Sequence, residues 1–474
     1  MTDPLDSVIR KIQSRLEESF IYRKLGLCFD YAAPPGQFPP QTLPNPKEAR
    51  NMQPNPDGEG TGIFESAHNG ALLFDGYLLR LELGIAAPEE ETVFDRLIGG
   101  LIRTATIAPR NFLVRGLTAD GRGFYGRVDP DSHLLWAYSA WRGFRTGAMA
   151  SESQVKIQNI VAKWIGRIQQ QEYVLTPLSG ETLPEGNLLA LDWHTGPKLL
   201  ALLAVAANIT GDAAIKSIFI EKADENSSAR VGFAVPGGVE NPFDLMSLQI
   251  AFFLLLQFDE NEDRKSVIRK RMREVSAQAA RFLPAYRELD PEILADAPDL
   301  DWRKLSNSSP ELAPAWRRFP HERKTVVASL QAALAILLEG DKDAAEPHAE
   351  IIADCLQTVL FDKLWLASAL APALSVHALG FELGLWDQEL GNRIYAIDGT
   401  SSLVADYMAE DFDERRPELA GHTVSPKKAA PPPPEPGKRN GNARPVQATA
   451  AAPAEDGERN NNRRRGGRRR RRKK

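Results

Sequence analysis

The chain is poor in the residues that build covalent or metal-held frameworks. Cys28 and Cys355 are the only cysteines in 474 residues, which excludes a disulfide scaffold and any site made of clustered thiolates. Histidine is scarce too, with 7 residues scattered along the chain. No set of three or four ligands stands at metal-binding spacing, so neither a catalytic metal nor a cofactor is expected. Long hydrophobic runs are missing: no stretch reaches the roughly 18 apolar residues of a membrane span. Met1 to Tyr22 is a charged amphipathic pattern rather than a signal peptide. Together these absences predict a soluble, cytoplasmic protein without membrane contact. Gly58-Glu59-Gly60-Thr61-Gly62 is no phosphate loop, because no strand precedes it and no Lys-Ser/Thr follows.

What is present is a large hydrophobic fraction, 43%, enough for an extensive core. The net charge of −5 hides an asymmetry, since the residues from Gly421 onward hold 16 Lys+Arg against 4 Asp+Glu, leaving 42 against 59 in residues 1–420. An acidic body over residues 1–417 is therefore expected to carry a separate basic tail over 418–474. The Pro, Gly, Ala and Arg composition of that tail cannot bury enough apolar surface to fold alone, so it is predicted to be disordered. Its Arg463–Lys474 run suits RNA or another polyanion.

Along the body one pattern recurs. An apolar helix runs into a short polar or glycine turn, and a more amphipathic helix follows. Such turns fall near Gly84, Gly147, Thr210-Gly211-Asp212, Asp259, Gly340 and Gly384. The helices entering them, as over 197–209, 245–258, 325–338 and 368–383, are apolar nearly all round and should be buried. Those leaving, as over 154–170 and 264–281, have one polar face and belong outside. Residues 4–23 read as a further amphipathic helix closing the domain from outside, and the proline-rich stretch 33–56 as an extended arm without helix. The connections returning to each buried helix are long, which places loops, and with them any chemistry, on one rim. The predicted fold is all-α, an (α/α)6 barrel of six helical hairpins.

The ionisable residues of interest stand where buried helices begin: Glu65 and His68 at the first, Asp129, Asp131 and His133 at the second, Asp192 and His194 before the third. Asp131 reads either as a carboxylate stabilising the first turn of its helix or as a general acid or base whose pKa is raised by an apolar pocket lined by Trp136 and Trp193. His194 reads either as a proton-transfer group near neutral pH or as a structural, hydrogen-bonded histidine. Arg115, Arg122 and Arg127, beside Tyr125, are solvated arginines or a clamp for a carboxylate-bearing sugar. His321, His348 and His377 read as structural.

Several of these residues carry a resemblance. Gly60-Thr61-Gly62-Ile63-Phe64-Glu65, Asn69-Gly70-Ala71-Leu72-Leu73-Phe74-Asp75-Gly76, Arg115-Gly116 with Tyr125 ahead of Asp131, and Gly196-Pro197 before a helix closing on Thr210-Gly211-Asp212 together resemble the six-hairpin glycosidase-like proteins of bacteria. That superfamily includes unsaturated glucuronyl hydrolases, and N-acylglucosamine 2-epimerases share its barrel. The resemblance spans about residues 55–212 and departs from its relatives after Asp131, where Ser132-His133 replaces a Gln-Tyr-like pair. It implies a sugar or uronate oligosaccharide as substrate, with Asp131 in an acid/base role; Asp192, His194 and Glu65, at the neighbouring helix entries, are the further catalytic candidates. His68, Arg115, Tyr125, Arg127, His133, Trp136 and Trp193 would then contact the sugar. Two other readings compete: a sugar epimerase using His bases, and a non-catalytic helical scaffold brought to RNA by its tail.

Overall fold

The computed structural model describes residues 5–32, 43–51, 62–63, 65–109, 112–126, 129–177, 186–225, 231–295 and 315–386. All of them fall in one compact unit. The tail, with Arg463–Lys474, and Arg127 lie outside the described residues.

The fold is all-α. Helix α1 (Leu5–Ser19) and the short α2 (Pro46–Asn51) precede four helical pairs: α3 (Ser66–Glu82) with α4 (Pro88–Thr106), α5 (Pro130–Thr146) with α6 (Ser151–Gln170), α7 (Thr195–Thr210) with α8 (Ala213–Glu225), and α9 (Pro242–Phe258) with α10 (Glu262–Ala279). Then come α11 (Pro291–Ala295) and α12 (Ala315–Glu322), which passes through a π-turn, Arg323–Val327, into α13 (Ala328–Leu337). The described part closes with α14 (Lys342–Ala345), α15 (Ala349–Thr358) and α16 (Ala367–Glu382).

Burial follows the apolar pattern. The helices predicted as buried, α7, α9, α13 and α16, are covered on nearly every side, and α3 and α5 join them. Their packing runs in a circuit: α3 touches α5, α5 touches α7, α7 touches α9, α9 touches α13, α13 touches α16, and α16 returns to α3. The amphipathic helices lie against this set, α4 on α3, α6 and α8 on α7, and α10 on α9 and α13. Helix α1 packs on α16 and α15 through Val8, Ile9, Ile12 and Leu16, so the start of the chain covers the last buried helix.

Local chemistry sets the ends. Asp129 begins α5 by accepting the Ser132 N–H at 2.7 Å, Pro130 takes the first helical position, and Gly147 stops the helix at φ 68°. Three sequence expectations need correction. The first helix stops at Ser19, because Ile21–Tyr22 pairs with Leu27–Cys28 in a β-hairpin turned at Gly26, φ 65°. A side chain on Gly26 would strike the Arg96 carbonyl of α4, at 1.7 Å from the added Cβ, so glycine is needed there for close approach as well as for φ. The stretch 33–56 does contain a helix, α2, since Asn45 Oδ1 accepts from the Lys47 and Glu48 N–H groups while Glu48 reaches back to the Asn45 N–H, a capping box with proline at N1. The outer helix expected over 264–281 ends at Ala279 and continues as 3-10 turns to Glu288, where Pro284 removes an α-helical donor.

Candidate functional site

The first turns of α3, α5, α7 and α9, with the π-turn ahead of α13, bring ionisable side chains to one side of the circuit. Asp131, in the first turn of α5, directs Oδ1 to the Lys198 ammonium of α7 at 2.5 Å. The same Nζ donates to His194, with Nε2 at 2.6 Å and Nδ1 at 3.2 Å. His194 Nε2 is 3.9 Å from Asp244 Oδ1 and 3.5 Å from Ser247 Oγ, both on α9. The result is a chain of four titratable groups across three neighbouring helices. Lys198 is wholly enclosed, whereas the side chains of Asp131, His194 and Asp244 keep 15%, 24% and 33% of their surface. The two Asp side chains thus keep some contact with solvent, and the ammonium has none.

The two carboxyl groups are displaced in opposite directions. Burial pushes Asp131 up, but Lys198, joined by His194, outweighs it and leaves the carboxyl below its ordinary value. Asp244 is raised, first by burial and then by the Asp131 charge. Burial also lowers the imidazole of His194, with Lys198 adding to the effect, to about 4. At neutral pH His194 is uncharged. The expectation of a raised Asp131 is thus corrected, because a cation stands where an apolar lining was expected.

A second set supports the first. Asp129 accepts from both the N–H and the hydroxyl of Ser132, at 2.7 and 2.8 Å, and lies 3.2 Å from Arg115 and 3.5 Å from His68 Nε2. Burial would raise this carboxyl, but Arg115 and His68 hold it well below its usual range. His68 Nε2 also meets Ser132 Oγ at 2.5 Å, and its ring stacks on Phe243 with centroids 5.4 Å apart. Glu65, at the start of α3, receives Arg323 at 3.3 Å.

Glu65, His68, Arg115, Asp131 and His194 are thus gathered at the same helix ends, and Trp193 lies beside His194 with ring centroids 5.1 Å apart. Asp192 does something else: its Oδ1 accepts the His194 and Thr195 N–H groups at 2.9 and 2.6 Å, so it holds the turn that leads into α7. Two predicted contacts lie elsewhere. Trp136 is buried, donates to the Leu101 carbonyl of α4 at 2.9 Å and packs against Trp164 of α6, because its position on α5 faces the outer helices. His133 points the same way, with Nδ1 2.9 Å from the Asp129 carbonyl and its ring on Trp164. Tyr125 is buried in the hairpin Gly116–Leu117/Phe124–Tyr125, and Arg122 is exposed.

Sequence reading missed Lys198, Asp244 and Arg323. Asp244 had a visible signal, since it stands in the first turn after Asn241-Pro242, one residue further on than Asp131 after Asp129-Pro130. Lys198 had one as well, a lone charge in Gly-Pro-Lys-Leu-Leu-Ala-Leu-Leu. Against known proteins, the chain matches no family model, no curated protein and no solved structure. Among the described residues no group of three or more His, Cys, Asp or Glu is placed to hold a metal, and no helix is long and apolar enough to cross a membrane.

Proposed function

We propose that the circuit of buried helices is the inner ring of an (α/α)6 barrel and that the chain is a carbohydrate-active enzyme of glycoside-hydrolase type. One observation carries the reading: Asp131 and Asp244, on the first turns of nearby inner helices, have environments that push their carboxyl groups apart. Pairs displaced in this way divide into a proton donor and a charged partner, and glycoside hydrolysis needs one of each. Asp244 would protonate the leaving glycosidic oxygen. Asp131 would serve as the carboxylate, activating water or meeting the developing positive charge at the sugar carbon. Trp193 beside His194 and Phe243 beside His68, both half-buried, would give apolar faces against which a sugar ring can lie.

Sugar epimerisation by His bases fits less well. The nitrogen of His194 nearest the carboxyl groups already accepts from Lys198, and a base with its lone pair engaged is a poor proton acceptor. The test is a turnover screen on neutral and uronate oligosaccharides. Asp131→Asn and Asp244→Asn should each lower turnover by about 10²–10⁴-fold; near-normal turnover in both would refute the acid/base pair.

For the tail we propose binding to RNA or another polyanion, a reading that rests on its 16 basic against 4 acidic residues.

A further inference from the structure

Lys198 is an unusual residue for its place. The helix that carries it is built of Leu, Ala and Val, and the Lys198 side chain has no exposed surface. Taking an ammonium out of water is costly unless it is paired and hydrogen-bonded, and the pairing found here is unequal. From α5, Asp131 meets Nζ at 2.5 Å, with Asp129 two residues before it. From the turn ahead of α7, the His194 ring meets Nζ at 2.6 Å. From α9, Asp244 makes no ion pair with Nζ and approaches the same His194 Nε2 at 3.9 Å, beside the uncharged Ser247, so the Lys198 charge acts on it only from a greater distance. One cation thus serves two carboxyl groups of the same chemistry unequally, bonded to Asp131 and only within longer reach of Asp244.

We propose that Lys198 is a positioning residue that divides the roles of the two carboxyl groups: bonded directly to Asp131 and not to Asp244, it keeps Asp131 as the standing carboxylate and leaves Asp244 to carry the proton. The proposal rests on the acid/base reading above and adds to it the residue that decides which carboxyl does what. Lys198 does not touch substrate, because it is enclosed. A purely structural ion pair behaves differently, since exchanging a buried pair for apolar groups of similar volume often leaves a protein as stable or more so and has no need of asymmetry.

The experiment is a carbon-13 carboxyl NMR titration of the full-length chain, with Asp131 assigned through Asp131→Asn, repeated for Lys198→Met and Lys198→Arg. Lys198→Met should move the Asp131 midpoint up by about one pH unit or more, and Lys198→Arg should restore most of the difference. An unchanged Asp131 midpoint in folded Lys198→Met overturns the proposal. Should Lys198→Met fail to fold, the nitrogen-15 signal of the Lys198 ammonium decides the matter in the unmodified chain. A slowly exchanging ammonium close to the His194 ring is expected, and one exchanging like a surface lysine overturns the proposal. No substrate enters these measurements. If Asp131→Asn and Asp244→Asn turn over substrate normally while Lys198→Met shifts Asp131, the acid/base reading fails and the charge-setting role stands. If both lose turnover and Lys198→Met shifts nothing, the reverse holds.

Discussion

Arg323, at the π-turn ahead of α13, reaches Glu65 at the start of α3, 3.3 Å away and 258 residues apart in sequence. Both side chains are partly exposed, 38% and 25%, and an ion pair so placed adds at most about 1 kcal/mol to stability. Such π-turns commonly re-aim a side chain at a functional site. Arg323→Gln should therefore leave the melting temperature nearly unchanged while altering KM for any substrate that turns over. A large loss of stability with KM intact would show that the pair only holds the fold.

Arg142 is the opposite case. It is buried with Asp75 at 3.3 Å, Glu82 at 2.8 Å and the Tyr138 hydroxyl at 3.1 Å. Removing it takes the cation from two buried or nearly buried carboxylates, so Arg142→Met should cost about 3–5 kcal/mol in denaturant unfolding. Burial raises the Asp75 carboxyl, against the pull of Arg142. A group raised in the folded state favours folding while protonated and loses that contribution as pH rises. The deficit of Arg142→Met should accordingly shrink on going from neutral to mildly acidic pH.

Asp129 and Asp192 both accept amides where a helix begins, but only Asp129 is the N-cap and also faces Arg115 and His68. Asp192→Ala should cost about 1 kcal/mol, the net value of a typical intramolecular hydrogen bond. Asp129→Ala should cost several times more, because it also leaves the half-buried Arg115 without this partner. Asp129→Asn should fall between, since it keeps the cap. Equal losses in thermal unfolding for the two alanine variants would show that Asp129 is a cap and nothing more.

His377 on α16 is buried, with Nδ1 3.2 Å from Arg80 Nη1, and burial followed by Arg80 lowers its imidazole to about 3. It stays neutral in the folded chain, while the unfolded chain takes up a proton near the ordinary 6.5. A depressed group lends stability above its unfolded pKa and loses it as pH falls toward the folded one. Stability should thus decline from about pH 6.5 downward, by about 1 kcal/mol per pH unit from this residue. In His377→Leu, whose Arg80 keeps Glu90 at 2.9 and 3.0 Å, that part of the slope should vanish from urea titrations across this range.

For the tail, deletion of residues 421–474 should abolish RNA binding and leave the melting temperature nearly unchanged, and the binding of the full chain should weaken steeply with added salt. Equal RNA affinity after deletion would exclude the Arg463–Lys474 run as the binding segment.

The sequence by itself determined the helices and their sidedness, because burial is written in apolar periodicity. Leu245–Phe258 has no polar stripe and is covered all round, and the Thr210-Gly211-Asp212 turn stops α7 with Gly211 at φ 68°. Capping was legible too, since Asp129-Pro130 and Asn241-Pro242 mark helix starts by local chemistry alone. The direction in which a side chain points, and the charge it meets, were decided only by tertiary structure. Asp131, His133 and Trp136 lie within one and a half turns of α5, yet the first meets Lys198 while the other two face Trp164. Lys198 is separated from Asp131 by 67 residues, and no local pattern encodes that meeting. Since the protonation of a carboxyl depends on its desolvation and on charges within a few ångströms, the assignment of Asp131 and Asp244 to different roles follows from the way α5, α7 and α9 pack side by side.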